Sequence, residues 1–356
     1  MKILQVGSSL MSWGGIERYV AYLSEGLAER GNDVTVACAP NTPLCTHVSA
    51  PKVPILNRRK LDFPAMGKFL KLFRANRFDV VHIHFSPDFL LPAMAARMTK
   101  QPCTIMTRHV VLPWSPTKVR LYSTLFDHFI PVSNAVQDQL IASGIPKHKL
   151  TVAKAGCPPL TPAKVRGETR RELGIEEDLF AIGFFGRLVA EKGVETLISA
   201  SPSIEKGVSF EVFGEGPLSE PLVELAQQSG SRVRFHGFRD DVPECLQAID
   251  AVVIPSVWEE AFPYAALEAM SVGRTVLASR VGGMSEIVED GATGYLFNKR
   301  DASGLAVMAS KLANDPHTNL MMGTRAKEVH RSTYTIQKMA ERIEAVYNEQ
   351  SLARVA

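Results

Sequence analysis

Cross-links are scarce in this chain. Its five cysteines (Cys38, Cys45, Cys103, Cys157 and Cys245) form no close pairing motif and no zinc-ligand spacing. They are expected to be reduced thiols of a cytoplasmic protein, mostly acting as small buried hydrophobes. No apolar run approaches the roughly 18 residues that a bilayer-spanning helix needs. Met1-Lys2 leads straight into Ile3-Leu4-Gln5-Val6, so no secretory leader is expected. Helix-turn-helix and zinc-finger patterns are absent, as is any basic stretch with aromatics at stacking spacing, which argues against a nucleic-acid partner. The first strand is not followed by Gly-x-Gly-x-x-Gly, so dinucleotide binding has little support.

What is present is ordinary soluble composition, 46% hydrophobic and 22% charged, in 356 residues. That length suits two domains. The net charge of +3 is unevenly spread. Residues 1–160 hold 19 Lys and Arg against 9 Asp and Glu, a net +10, and the rest of the chain carries −7. A basic first half implies an anionic partner, and an anionic membrane surface or a phosphorylated acceptor fits better than nucleic acid.

Lys2–Val6 reads as a strand, residues 7–15 as a Gly- and Ser-rich loop, and residues 16–30 as a helix with apolar Tyr19, Val20, Leu23 and Leu27 on one stripe. Gly14 and Gly15 would leave backbone N–H groups free at a helix N-terminus, which suits phosphate; equally, they could serve only a turn. Residues 52–77 are the most basic. Arg58, Arg59, Lys60, Lys68, Lys71, Arg74 and Arg77 surround Phe63, Met66, Phe69 and Phe73, with a helix expected over 65–77. This is either a solvated face over an apolar stripe or a surface for anionic lipid. Strand alternation puts His82 and His84 on one side of the strand 79–85. His109 falls at the carboxyl end of the next strand, where ligands of α/β sheets bind. The apolar segment Val110–Trp114 beyond it is core or a lip for an apolar acceptor. A strand over 149–153 closes this half, and residues 156–167 read as a linker.

The strand pattern restarts at 179–186, followed by a loop with two cations, Arg187 and Lys192, that are either surface charges or a clamp for diphosphate. Strand 208–213 ends in the tight turn Gly214-Glu215-Gly216-Pro217, and strand 232–235 in His236-Gly237-Phe238. The stretch 251–273 organises the whole. A buried strand, Ala251–Ile254, is broken by Pro255 and Ser256, and a helix follows with Pro263 as its expected first residue and Gly273 as its stop. Glu260 lies in the loop and Glu268 inside a helix that is apolar nearly all round. A carboxylate there needs a partner, and a ligand hydroxyl pair is one candidate. Strands 275–279 and 295–297 and two closing helices complete the reading.

Glu260 and Glu268, with seven residues between them, make an E-x7-E motif. Together with the Gly14-Gly15 loop and Glu17, Gly186-Arg187-Leu188 through Lys192-Gly193, Gly214-Glu215-Gly216-Pro217 and Gly282-Gly283 through Glu286, it resembles the retaining family 4 glycosyltransferases. The resemblance covers nearly the whole chain. It implies a GT-B fold of class α/β, with two Rossmann-like doubly wound domains facing a cleft: residues 1–157 on the acceptor side and 158–335 for the nucleotide sugar. Residues 336–356 would pack back as a helix on the first domain. By the same resemblance, Arg187 and Lys192 bind the donor diphosphate with the backbone of the Gly14-Gly15 loop, and Glu268 takes the ribose hydroxyls. Glu260 and the segment Phe262, Pro263, Tyr264 and Ala265 hold the donor sugar, with His109 on its other side. Glu215 and Gly216 bind substrate, and Gly237 and Phe238 lie near the base. No Asp-x-Asp occurs anywhere, so no metal and no cofactor beyond a UDP- or GDP-sugar donor are expected. The implied activity is a metal-independent, retaining hexosyl transfer to a cell-envelope glycan or lipid such as lipopolysaccharide core, by a cytoplasmic protein peripheral on the inner membrane. A nucleotide-sugar epimerase and a catalytically silent nucleotide-sugar-binding subunit are the competing readings. The sequence departs from the family at Ala155-Gly156-Cys157-Pro158, where Asn-Gly-x-Asp is common, and at Pro263, which replaces a common glycine and removes one N–H.

Overall fold

The computed structural model describes residues 1–9, 11–58, 61–204 and 207–352, the side chain of Leu352 excepted. Arg59 and Lys60 of the basic segment and residues 353–356, expected to continue the last helix, lie outside the described residues. The chain divides into two compact units: residues 1–157 with the chain from Tyr334 onward, and Pro158–Thr333.

In the first unit, strands β1 (Lys2–Gly7), β2 (Asp33–Cys38), β3 (Lys52–Pro54), β4 (Val80–Ile83), β5 (Cys103–Arg108) and β6 (His128–Pro131) pair in parallel in the order β3-β2-β1-β4-β5-β6. Every residue of β4, β5 and β6 is buried, as expected of short strands covered by helices on both faces. The chain's winding reverses between β1 and β4. The Ile336–Leu352 helix belongs to this unit and is tied to the Gly15–Glu29 helix region by Glu344, which accepts from Arg30 Nε and Asn32 Nδ2, both at 2.6 Å.

In the second unit, β7 (Phe180–Phe185), β8 (Val208–Phe213), β9 (Val233–Phe235), β10 (Ala251–Ile254), β11 (Thr275–Ser279) and β12 (Gly294–Phe297) pair in parallel in the order β12-β11-β10-β7-β8-β9. Here the winding reverses between β7 and β10. Inward residues such as Ile182, Phe184, Val212, Val253 and Leu277 pack against helix residues Leu197, Leu305 and Leu312 in one core.

Four expectations fail for local reasons. Residues 149–153 form no strand. Thr151 N–H reaches Phe129 O (3.2 Å) and Ala153 N–H reaches Pro131 O (3.1 Å), but Pro131 has no N–H to return and the ladder stops at one bridge. Pro263 is the cap of the Tyr264–Ser271 helix instead of its first residue, with extended ψ of 127°. Three helices, not two, close the chain, because Pro316 starts a second one after the helix Ala302–Asn314. The basic helix spans Phe63–Ala75, two residues earlier than the pattern predicts, because the Asp62 carboxylate accepts from Ala65 N–H (3.0 Å) and caps it. No helix among the described residues is long and apolar enough to cross a membrane.

Candidate active site

Adjacent parallel strands whose connections leave in opposite directions open a crevice at their carboxyl ends. In the second unit that place is the end of β7 and β10, and an ion pair spans it. Lys192 Nζ, after β7, lies 2.6 Å from Glu260 Oε1, after β10, and both side chains are partly buried. Ser256 Oγ–H donates to the same Oε1 at 2.6 Å. The loops can come together because two glycines stand where a side chain has no room. Gly193 has φ +64°, and a Cβ there would meet Pro255 O at 2.3 Å. Gly282, after β11, has φ +49°, and a Cβ would meet Glu260 O at 2.1 Å. Its neighbour Gly283 donates its N–H to Glu260 O (2.7 Å), and Gly282 N–H goes to the Glu259 carboxylate (2.6 Å). Replacing Gly193 with valine is expected to displace Lys192 from Glu260 and to cost about 1–3 kcal/mol of stability, read as a lowered urea midpoint with donor binding lost.

The Tyr264–Ser271 helix starts beside this pair. Phe262 and Tyr264 are buried, Pro263 and Ala265 half-buried, and Glu268 is buried within the helix. Its last turn ends where Gly273, at φ +77°, returns its N–H to Met270 O (3.0 Å), as the sequence pattern predicts. Arg187 is exposed in the same loop as Lys192, and the structure does not bring it into contact with Glu260.

Towards β8 and β9 the unit holds a cavity of about 420 Å³ lined by Leu188, Glu215, Gly216, Val223, Phe235 and Gly237, among others. Glu215 Oε1 accepts from Phe238 N–H (3.3 Å), and Gly214 N–H goes to Gly237 O (2.7 Å), so the two turns are fastened to each other. The Phe238 ring is 70% exposed, so its backbone, not its ring, is what the fold fixes here. Behind them Phe185, Phe213 and His236 stack at 4.7 Å steps, and His236 Nε2 is 2.7 Å from buried Glu211. Burial alone would raise the Glu211 carboxyl. Hydrogen bonds from His236, Arg234 and Ser209 outweigh that and hold it below the usual carboxylate range.

In the first unit the winding reverses at β1 and β4, and buried Asp88 clamps the loops there. Its oxygens accept from Ser8 Oγ (2.6 Å), Ser9 N (3.0 Å), Ser9 Oγ (2.8 Å) and Asn57 Nδ2 (3.0 Å). The glycine loop differs from the expectation of open N–H groups. Gly14 caps the Gly15–Glu29 helix, and its N–H is taken by the carboxylate of Glu17 (3.0 Å), which also accepts from Ser12 Oγ. An anion already sits at this helix N-terminus, and it is the chain's own; Gly15 beside it is exposed. His109 follows β5 and packs edge-on against Tyr19 (4.6 Å, 82°). Burial, then the charge of Arg108, lowers its pKa to about 3, so the ring is neutral. Trp114 is 7% exposed under the Arg108 guanidinium, but Val110 and Val111 are half-buried and Leu112 and Pro113 exposed, so only the end of the segment after His109 is core.

Residues 13–158 match the family model described as Glycosyltransferase Family 4, and residues 180–315 match Glycosyl transferases group 1. The chain belongs to this glycosyltransferase family. It is 23% identical over 94% of its length to the Escherichia coli UDP-Gal:alpha-D-GlcNAc-diphosphoundecaprenol alpha-1,3-galactosyltransferase, covering 93% of that protein. Among solved structures it resembles Anabaena Alr3699/HepE in complex with UDP-glucose (TM-score 0.86, 23% identity, 98% of this chain and 100% of that one). It also resembles the lipopolysaccharide outer core galactosyltransferase WaaB (TM-score 0.73, 16% identity, 98% and 100%). The fold of this family 4 glycosyltransferase is therefore GT-B, with two parallel six-stranded sheets flanked by helices.

Sequence reasoning missed Ser256, Glu259 and the Glu211–His236 pair. Ser256 carried a signal, since a serine two positions past the end of a buried strand stands where α/β ligands bind. Glu259 gave none, because a carboxylate bound to a glycine N–H across 23 residues has no local pattern.

Proposed function

We propose that this glycosyltransferase moves a sugar from a UDP- or GDP-sugar to a hydroxyl of a cell-envelope glycan or lipid, with retention of anomeric configuration and without a metal ion. The observation that carries the reading is the Lys192–Glu260 pair across the β7/β10 reversal, beside a helix N-terminus and buried Glu268. Lys192 and Arg187 meet the charge that develops on the departing diphosphate, and the helix N-terminus adds a fixed dipole. Glu260 holds sugar hydroxyls, with Tyr264 and Ala265 behind it. Glu268 takes the ribose hydroxyls, and the Glu215–Gly216 and Gly237–Phe238 turns border the base. His109 and the Gly14-Gly15 loop act from the first unit.

Glu260 Oε1 is engaged by Lys192 and Ser256 and so is badly placed as a nucleophile. The acceptor hydroxyl then attacks the anomeric carbon on the face the leaving group departs from. The carbon–oxygen bond to phosphate breaks with its electron pair, and the departing phosphate oxygen takes the hydroxyl proton. The test is NMR of the product anomer and turnover in EDTA. Retained configuration and undiminished turnover are expected; an inverted product or a metal requirement contradicts the mechanism.

The relatives support a UDP-linked donor and a lipid-linked or lipopolysaccharide acceptor. Leu61 and Phe63 are 65% and 79% exposed at the start of a helix bearing Lys68, Lys71 and Arg74. That supports a cytoplasmic protein resting on the anionic inner leaflet. Phe63→Ser combined with Lys68→Glu is expected to abolish sedimentation with vesicles containing phosphatidylglycerol. Equal sedimentation with purely zwitterionic vesicles would count against the surface.

A further inference from the structure

Ser256 stands two positions past β10 and is completely buried. Its backbone is held on every side. Its carbonyl accepts from the hydroxyl of Ser279, the last residue of β11 and also completely buried. The next residue, Val257, donates its N–H to the carbonyl of Glu191, the neighbour of Lys192 (2.9 Å). The preceding carbonyl, that of Pro255, fills the place where Gly193 has no Cβ. The loops after β7 and β10 and the end of β11 thus fix one hydroxyl before any ligand arrives.

The bonds that this hydroxyl shares are fixed in direction by the groups themselves. A carboxylate only accepts, so Ser256 Oγ–H donates to Glu260 Oε1 at 2.6 Å. An ammonium only donates, so Lys192 Nζ gives the same oxygen its second bond, also at 2.6 Å. Among the described residues no hydrogen bond falls on Oε2. The two donors differ in how freely they can leave. Lys192 carries its charge at the end of a flexible four-carbon stem, whereas the serine oxygen is one carbon from a clamped backbone. The Glu260 side chain is only 13% exposed, so a carboxylate stripped of both donors would be strongly destabilised there.

We propose that Ser256 is a positioning residue for glycosyl transfer: it holds the Glu260 carboxylate while Lys192 passes from that carboxylate to the donor diphosphate. This rests on the reading of Lys192 and Glu260 as groups that touch the donor. With the hydroxyl present, Lys192 can leave, Oε1 stays tied, and Oε2 remains for a sugar hydroxyl. Without it, departure of the ammonium strands a largely buried charge. Glu260 then keeps its grip on Lys192, and an arriving diphosphate competes less well.

The test is Ser256→Ala, alone and combined with Glu260→Ala, titrated calorimetrically with UDP and GDP in the full chain. With Glu260 in place, loss of the hydroxyl is expected to weaken the nucleoside diphosphate about tenfold and to lower kcat by a similar factor. In the Glu260→Ala background the ammonium is already free, and the same substitution is expected to leave diphosphate affinity within about twofold. Equal losses in the two backgrounds, as a merely structural serine would give, or no loss with Glu260 in place, overturn the proposal. A second comparison needs no ligand. In Lys192→Ala, Glu260 rests on Ser256 alone, so Ser256→Ala is expected to lower the urea midpoint further there than in the unsubstituted protein; equal decreases overturn the proposal. Ser256→Cys, a weaker donor of similar size, replaces the alanine variant if that one does not fold. If the unsubstituted protein binds neither diphosphate and transfers no sugar, the proposed function has failed, and the urea comparison still decides whether Ser256 holds Glu260.

Discussion

Glu260→Gln is expected to cut transfer by roughly 100- to 1,000-fold and, at the same time, to tighten binding of a nucleoside diphosphate that carries no sugar. The two effects share one cause. In the unliganded protein the Glu260 carboxylate holds Lys192 at 2.6 Å, so an arriving diphosphate must compete for that ammonium. The amide keeps the size of the side chain and a hydrogen bond to Ser256 but gives up the charge, and Lys192 is freed for phosphate. The sugar loses its charged acceptor, so ground-state affinity for the diphosphate rises while transition-state stabilisation falls. Lys192→Ala should do the reverse on binding: turnover and diphosphate affinity fall together, and Glu260 is left partly buried without its counter-charge. Calorimetric titration of both variants with UDP and GDP reads the difference. Parallel losses of diphosphate affinity in both would mean that the ion pair does not compete with phosphate.

Mild acid is expected to unfold the protein well above the pH at which carboxylates are protonated. His82 and His84 are held well below the ordinary imidazole pKa, by burial first and then by the neighbouring imidazoles. His109 is lowered to about 3 by burial and Arg108, and His128 to about 4 by burial and the neighbouring His148 and Lys149. In the unfolded chain each titrates near ~6.5. Below that pH the unfolded state binds more protons than the folded one, so stability that is complete above it drains away as pH falls. Each such histidine removes about 1.4 kcal/mol per pH unit, so His82, His84 and His109 alone approach ~4 kcal/mol per unit against a typical total of ~5–15 kcal/mol. Urea midpoints at pH 7.5, 6.0 and 5.0 should drop steeply over this range, and His84→Gln should flatten the slope by about a third of that contribution. A midpoint constant from 7.5 to 5.0 would show that these rings accept protons without unfolding.

Much of the architecture could be read from short apolar runs. Ala251–Ile254 and Thr275–Ser279 are buried from end to end, and a parallel strand covered on both faces has no other way to look. Glu268 was legible for a related reason, as a charge in a helix with no polar face. What escaped depends on partners distant in sequence. The glycine loop reads as an open anion site until Glu17 is seen folded onto Gly14, because composition does not say where a carboxylate will turn. Residues 149–153 have strand character, yet the missing N–H that stops them belongs to Pro131 on the neighbouring strand. His82 and His84 share a face by alternation alone, but the hydroxyl bonded to His82 Nδ1, that of Tyr347, is 265 positions away. Ser256 could be noticed from its place just past a buried strand, but nothing local gives its bond to Glu260.

The central claim is that Lys192 and Glu260, at the reversal between β7 and β10, grip an activated sugar by its diphosphate and its hydroxyls. Thermal unfolding of the unsubstituted protein and of Lys192→Ala against UDP-, GDP- and ADP-sugars tests it most directly. A sugar nucleotide present at 100 times its Kd should stabilise the unsubstituted protein by about 2.7 kcal/mol, and the same concentration should leave Lys192→Ala nearly unshifted. Equal shifts in the two proteins, or none with any of the three nucleotides, would contradict the account.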